Sequence, residues 1–348
     1  MIILQSTNNI HKHKWAEIIE QEVSGEPMLL PSYLELFCEK GETAECALAE
    51  YKNGKIIYPY IKRLIPGSID YFDLTSAYGY GGPRTIGTVT STEKEEFWAL
   101  FQHAIEKDRV VSEFIRFMLK RENETNYPGE IVDRGANIIC SLDIDLNSQW
   151  MDLDYKVRKN VKKATSFNLK LVTDRGEHID DFLKIYYATM DRREANERYY
   201  FKKSFYEKLN AGIKGHMVYF YALKDSEVIS AELVLFGKEN MYSYLGGTIN
   251  EYYKMRPNDF LKWEIIKWGH EQNIKNFVLG GGYSDNDGLF RYKRSLAPNG
   301  VGRFYSGQRI INIEKYDELV CRRNESLVRK GGTAVNAKTE SYFPLYRI

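Results

Sequence analysis

One order of elements occurs twice along this chain, and nothing else in the sequence constrains the fold as much. Residues 44–64, AECALAEYKNGKIIYPYIKRL, read as strand, turn and strand. Asn53-Gly54 predicts a type I′ hairpin there, because both central residues of that turn need positive φ. A third apolar segment, Tyr71 to Tyr80, ends in Gly81-Gly82-Pro83. A helix follows over Thr92 to Lys107, with Phe97, Leu100, Phe101 and Ala104 on one face, then a buried strand from Val110 to Met118. In the second half, Met217 to Leu223 and Val228 to Gly237 flank Lys224-Asp225-Ser226-Glu227, and Met241 to Leu245 runs into Gly246-Gly247. A helix over Asn258 to Gln272 carries Leu261, Ile265 and Trp268 at helical spacing, with Asn258 as its expected N-cap. Phe277 to Leu279 then enters Gly280-Gly281-Gly282. The two copies are offset by about 165–170 residues.

The pattern predicts two similar α/β domains, each a mixed sheet flanked by helices: an N-terminal domain over 1–142, a C-terminal domain over 143–316, and a tail, 317–348, that packs back on the first domain or stays loose. A single large α+β domain is the alternative. The chain has 348 residues, 43% of them hydrophobic, which supplies apolar material for two cores. With 49 Lys+Arg against 48 Asp+Glu, no global field attracts nucleic acid or anionic lipid, so any such binding needs a local patch. The four cysteines, Cys38, Cys46, Cys140 and Cys321, are too scattered for a disulfide framework, and a reducing cytoplasm is the simplest expectation. Met1 to Trp15 holds no apolar core of signal-peptide length, and no apolar run reaches membrane-span length.

The segment joining the halves carries a local patch. Tyr155 to Lys170 holds Lys156, Arg158, Lys159, Lys162, Lys163 and Lys170 and no acid. Leu153, Val157, Val161 and Ala164 fall on one helical face, and Asp152 and Asp154 stand where a helix N-terminus favours negative charge. This predicts an amphipathic helix with a basic outer surface. It is either a solvated face or an anion site for phosphate or an RNA backbone.

Several chemistries leave no motif: there is no P-loop, no dinucleotide fingerprint, no GxSxG elbow and no CxxC pair. His11-x-His13 is the one close histidine pair, and no metal site is expected. Two glycine- and tyrosine-rich stretches stand out instead. DLTSAYGYGGP (73–83) places Tyr78 and Tyr80 on a fixed turn after a strand, with Asp73 just upstream. LGGGYSDNDGLFRYKRS (279–295) lets a ligand approach the backbone at a strand end and supplies Asp285 and Asp287 with Arg291, Lys293 and Arg294. A third stretch, Tyr186 to Tyr206, contains Arg193 and Tyr200 and reads as a pocket wall.

The ordered set DLTSAYGYGGP (73–83), VVSEFIRF (110–117), YKVRKNVKKA (155–164), YYATMDRREANERYYF (186–201) and GGGYSDNDGLFRYKRS (280–295) resembles the Fem-type aminoacyltransferases that build peptidoglycan interpeptide bridges. It is most similar to their relatives with a BioF2-like acetyltransferase domain. The resemblance spans about residues 30–310 and implies a fold of tandem GNAT domains. It implies transfer of an acyl or aminoacyl group to an amine of a cell-envelope precursor or other glycan. No tightly bound cofactor is implied; the donor substrate is acyl-CoA or, alternatively, aminoacyl-tRNA, and the acceptor a small-molecule or lipid-linked glycan. A non-catalytic glycan-binding or nucleotide-sugar-binding protein is the reading from another class. A cytoplasmic protein is expected, with the inner membrane face accessible to it. The chain departs from the family in lacking a long charged helical hairpin and a clean R-x-x-G-x-G/A phosphate loop.

Under this reading the catalytic candidates are Asp73, Asp285 and Asp287 as bases, with Glu232 behind them, and Tyr78, Tyr80 or Tyr283 as the acid for the leaving group. Arg158, Lys162, Arg193, Tyr200 and Lys293 are candidates for substrate binding. Gly246 and Gly247 (or Gly280 to Gly282) are candidates for oxyanion stabilisation, and Lys254, Arg256 and Asn258 for holding a pyrophosphate.

Overall fold

The computed structural model describes residues 1–119, 126–282, 284, 287–336, 340 and 342–348. In chain order its elements are β1 (Ile2–Gln5), α1 (Asn9–Glu22), α2 (Pro31–Glu35), β2 (Thr43–Glu50), β3 (Gly54–Leu64), β4 (Phe72–Thr75), β5 (Arg84–Gly87), α3 (Ser91–Lys107), β6 (Val110–Arg116), β7 (Glu130–Ser141), α4 (Leu146–Asp152) and α5 (Tyr155–Ser166). Then follow β8 (Lys170–Asp174), α6 (Ile179–Arg192), α7 (Lys203–Gly212), β9 (Met217–Lys224), β10 (Glu227–Phe236), β11 (Asn240–Thr248), α8 (Pro257–Glu271), β12 (Asn276–Gly280), α9 (Gly288–Leu296), β13 (Val301–Ile310) and α10 (Ile313–Arg329). They form two compact units, one of Met1–Val23, Met28–Arg134 and Phe304–Ile348, the other of Ser24–Pro27 and Gly135–Arg303.

Both units carry a mixed α/β sheet built in the same order. In unit one, β2, β3 and β4 pair antiparallel, and β4 pairs parallel with β6 across the helix α3. In unit two, β9, β10 and β11 pair antiparallel, and β11 pairs parallel with β12 across α8. A parallel pair needs such a crossover, which is why each copy has its helix at that point. The last strand of each sheet comes from elsewhere in the chain. β13 pairs antiparallel with β6 through Ser306–Ile310, and β7 pairs antiparallel with β12 through Ile138–Ser141. Residues 304–316, expected at the end of the second domain, therefore lie in unit one with the tail.

The β2–β3 hairpin forms, but not through a type I′ turn, since neither Asn53 nor Gly54 has positive φ. Gly54 is there for close approach instead: β5 lies against it, and a Cβ at Gly54 would stand 2.6 Å from the Ile86 and Thr88 carbonyls. The positive-φ pair occurs in unit two, at Asp225 (φ 48°) and Ser226 (φ 73°), between paired Lys224 and Glu227. That two-residue loop has the type I′ signature without a glycine.

In unit one, Phe97, Trp98 and Phe101 of α3 pack on Tyr58 and Tyr60 of β3. Tyr316 and Leu319 of α10, with Tyr346 of the tail, pack on Ile65 and Val111. The core of unit one also encloses an ion pair. Glu113, fully buried, accepts from Arg309 Nε at 2.6 Å, Tyr58 Oη at 2.7 Å and Tyr127 Oη at 3.0 Å. The Arg309 guanidinium also lies over the Trp98 ring. In unit two, Val157, Val161 and Ala164 of α5, Leu261 and Ile265 of α8, and Phe290 of α9 share one core with Phe220 and Phe277. Phe182 and Tyr186 of α6 and Tyr206 of α7 pack with Tyr219 of β9. Much of the tyrosine excess is spent in these interiors. Among the described residues no helix is long and apolar enough to cross a membrane.

Candidate functional site

In unit two the parallel ladder between β11 and β12 is short. It runs Asn240–Tyr242 against Asn276–Val278 and stops, while β11 remains paired with β10 as far as Thr248. Beyond Tyr242 the two strands part. Buried polar side chains gather around that divergence. Lys262, on the inner face of α8, reaches Glu232 Oε1 of β10 at 2.6 Å and Ser243 Oγ of β11 at 2.7 Å. Both members of this ion pair are almost fully buried, at 6% and 3% exposure. Two buried charges are retained only when paired and hydrogen-bonded.

On the β12 side, Gly280 turns the chain with φ of +82°, a region a side chain would strain. Lys293 of α9 packs against this turn, its Nζ donating to the Gly281 carbonyl at 2.7 Å. A Cβ at Gly280 would come within 3.1 Å of that Nζ. Burial, and then the Lys262 ammonium, push the Lys293 ammonium down to about 8; Glu232 and Asp287 oppose this. Lys293 is thus a cation held at the turn with its ionisation close to neutral pH. Such displacement of a lysine is characteristic of sites where charge is used.

Asp287, expected as a base, serves as the N-cap of α9. Its Oδ1 accepts from Phe290 N at 2.6 Å and its Oδ2 from Ser284 N at 3.3 Å. Asp285 and Tyr283 lie outside the described residues. Asp73 is in unit one and wholly buried, its oxygens taken by Arg63, Arg347 and Tyr346. Tyr78 and Tyr80 also belong to unit one. The Tyr78 carbonyl accepts from Tyr33 Oη at 2.7 Å, and the Tyr80 ring lies edge-on to Phe304. Asp73, Tyr78 and Tyr80 thus belong to unit one, whereas Asp287 stands on the same helix as Lys293, near enough to favour its charged form.

Gly246 and Gly247 have packing reasons for lacking side chains. A Cβ on Gly247 would lie 2.9 Å from the Ile185 carbonyl of α6, and one on Gly246 would lie 2.8 Å from the Ala231 carbonyl of β10. Asn258 is not the N-cap of α8. Arg256, with φ of 63°, holds the cap position and Pro257 opens the helix, as its fixed φ and missing N–H favour. Arg256 and Lys254 are exposed. The α8 N-terminus holds a carboxylate of its own: Asp259 accepts from Asn160 Nδ2 at 3.3 Å, and burial pushes its pKa up to about 6. Tyr292 is also close by, its phenol pushed up by burial and by Asp259 and Glu232.

Arg158 donates to the Met151 and Leu153 carbonyls, while Lys162 is exposed. Arg193 caps the end of α6, and Tyr200 stacks on Tyr187 and donates to Asp191 at 2.8 Å. Sequence reasoning missed Asp259, Lys262, Ser243 and Tyr292. The signal for Lys262 was present: Asp259, Lys262, Ile266 and Gly269 fall on one helical stripe, so a lysine stood on an inward face.

The profile of the acetyltransferase (GNAT) domain family matches residues 152–294. That range contains α5, β11, α8, β12 and Lys293. No curated protein gives a significant match. Among solved structures the chain is similar to the crystal structure of FemX, with 14% identity over 91% of this chain and 99% of that one, and a TM-score of 0.69. It is also similar to L-PGS from Bacillus licheniformis, with 12% identity over 85% of this chain and 91% of that one, and a TM-score of 0.56. A conserved protein of unknown function from Bacteroides thetaiotaomicron matches at 9% identity over 88% and 99%, with a TM-score of 0.55. At such identities the likeness is one of fold. The repeated unit and the diverging parallel strands agree with these likenesses: residues 152–294 resemble the acetyltransferase (GNAT) domain family, and the fold of the chain is similar to that of FemX.

Proposed function

We propose that the chain moves an acyl group from acyl-CoA to an amine of a cell-envelope precursor or glycan, in the divergence between β11 and β12. The observation that carries this reading is Lys293: a largely desolvated ammonium, placed by the Gly280–Gly281 turn at the open end of the parallel pair. Attack of a neutral amine on an acyl carbonyl puts negative charge on the carbonyl oxygen. A preorganised cation in a site of low dielectric stabilises that oxygen without reorganising. Because its pKa is near 8, Lys293 also loses and regains a proton near neutral pH, which suits proton transfer to a leaving thiolate. The Lys262–Glu232 pair holds the floor beside it. The edge of β11 beyond Tyr242 supports an extended, amide-bearing arm, since strand edges pair with extended chains. The acceptor class is what the resemblance of residues 73–83 and 280–295 to the Fem-type aminoacyltransferases implies.

The test is release of free thiol from acetyl-CoA in the presence of an amine panel that includes amino sugars and muropeptide amines. Amine-dependent release, lost in Lys293→Ala and partly kept in Lys293→Arg, is the expected result. No release at millimolar acetyl-CoA with any amine would sink the acyl-CoA reading.

One observation favours aminoacyl-tRNA as the donor instead. A helix N-terminus binds diphosphate through free N–H groups and its positive end. At α8 this place has Pro257, which has no N–H, and the buried Asp259 carboxylate. Transfer of a labelled amino acid from charged tRNA, with acetyl-CoA inert, would select that donor.

A further inference from the structure

We infer that the α4–α5 surface of unit two docks on an anionic lipid bilayer. Four large apolar side chains stand in water along this short stretch: Ile144 (41% exposed), Leu146 (39%), Met151 (60%) and Tyr155 (72%). They lead directly into α5, whose Lys156, Lys159, Lys162 and Lys163 are all exposed. Arg158 ties the two helices together by donating to the Met151 and Leu153 carbonyls at 2.6 Å and 2.5 Å. Met151 thus lies beside the start of α5. Tyr155, Lys159 and Lys162 follow at helical spacing on one stripe, and the inward stripe of Val157, Val161 and Ala164 is buried in the core. The structure records no ion pair to Lys156, Lys159, Lys162 or Lys163 among the described residues.

Like charges at i,i+4 destabilise a helix, and a run of them without acids calls for an anionic surface outside the protein. The apolar residues say which kind. Aliphatic side chains such as Ile144, Leu146 and Met151 have nothing to hydrogen-bond or stack on an RNA backbone. At a bilayer they enter the boundary between headgroups and acyl chains while the lysines meet anionic headgroups. Tyrosine with its phenol at the headgroup level suits the same boundary. Vesicle binding and thiol release are separate readouts, so this inference and the proposed reaction stand or fall separately. Docking here would place unit two beside acceptors that are themselves lipid-linked.

The experiment is co-sedimentation of the full chain with vesicles of phosphatidylcholine alone and with phosphatidylglycerol added, at low and high salt. Binding is expected only with phosphatidylglycerol, weakened but not abolished by salt. The double variant Lys159→Glu/Lys162→Glu should weaken binding by at least about tenfold, since each lysine near such a surface contributes strongly. The double variant Met151→Asp/Tyr155→Asp should remove the part that survives high salt. Circular dichroism and melting show that both variants fold. No sedimentation with anionic vesicles at low salt would overturn the inference, as would unchanged binding by both folded variants. So would tight binding of a short RNA duplex, lost in the lysine variant, by a chain that ignores vesicles.

Discussion

Lys293→Met should make the protein more stable at pH 7 while abolishing transfer. The magnitude follows from the environment of the ammonium. Its pKa falls from 10.5 to about 8 because it is buried beside a second lysine. At about 1.36 kcal/mol per unit, holding it charged costs roughly 3 kcal/mol in the native state. Methionine fills similar volume without charge, but leaves the Gly281 carbonyl without the donor it has at 2.7 Å, an offset of about 1 kcal/mol. The net gain is about 2 kcal/mol at pH 7, or roughly 4–8 °C in the melting transition of a unit this size.

The sign of the pH dependence is set by linkage. The unfolded lysine keeps its proton to about pH 10.4, whereas the folded one releases it through about pH 8. Between these values the unfolded state binds more protons, so the wild-type protein gains stability as pH rises. The advantage of Lys293→Met should therefore be full below pH 8, shrink above it, and reverse by about 1 kcal/mol near pH 10.5. Urea unfolding of both proteins at pH 7, 8.5 and 10 reads this directly. A variant less stable than wild type at pH 7, or a difference that does not change with pH, would refute the account of Lys293 as a strained, desolvated cation. The same substitution separates function from folding, because a residue that costs stability is retained for what it does.

Three further outcomes follow from the packing. Arg309→Met leaves Glu113 without its cationic partner in the core of unit one and should cost about 3–5 kcal/mol in urea unfolding followed by tryptophan fluorescence; adding Glu113→Gln should recover much of it, and no recovery would mean the loss is one of packing alone. Gly247→Ala drives a methyl into Thr189 and the Ile185 carbonyl of α6 and should cost at least about 1–3 kcal/mol, whereas an unchanged melting temperature would show that α6 yields there. Asp259→Asn should raise the melting temperature at pH 7 but not at pH 4. A carboxyl raised to about 6 keeps its proton in the folded state where the unfolded one has lost it, so wild-type stability falls as pH climbs from about 4 to 6; an equal effect at both pH values would contradict this.

Sequence alone determined what depends on local chemistry and on pattern. The repeated order of hairpin, strand, helix and strand is written in residues 44–118 and 217–280, because each element carries its own periodicity and each parallel pair requires a crossover helix. The basic helix was legible for the same reason: Val157, Val161 and Ala164 mark its inward face, and Asp154 accepts from Lys156 N at its start. Lys293 was legible as a cation after a glycine turn, but not as a cation with a lowered pKa. That property comes from burial and then from Lys262 on a different helix, and Glu232 and Asp287 only moderate it, an environment that folding alone assembles. Tertiary structure likewise decided that β13 completes the first sheet and β7 the second. A strand's partner is set by backbone hydrogen bonding across the sheet, and no residue in either strand encodes which edge it will meet. The fate of the aspartates was settled at the same level. Asp73 and Asp287 read alike as free carboxylates, yet the fold surrounds one with two arginines and gives the other the Phe290 N–H in the first turn of a helix and the Ser284 N–H before it, because a buried or helix-capping carboxylate is stable only where such donors converge.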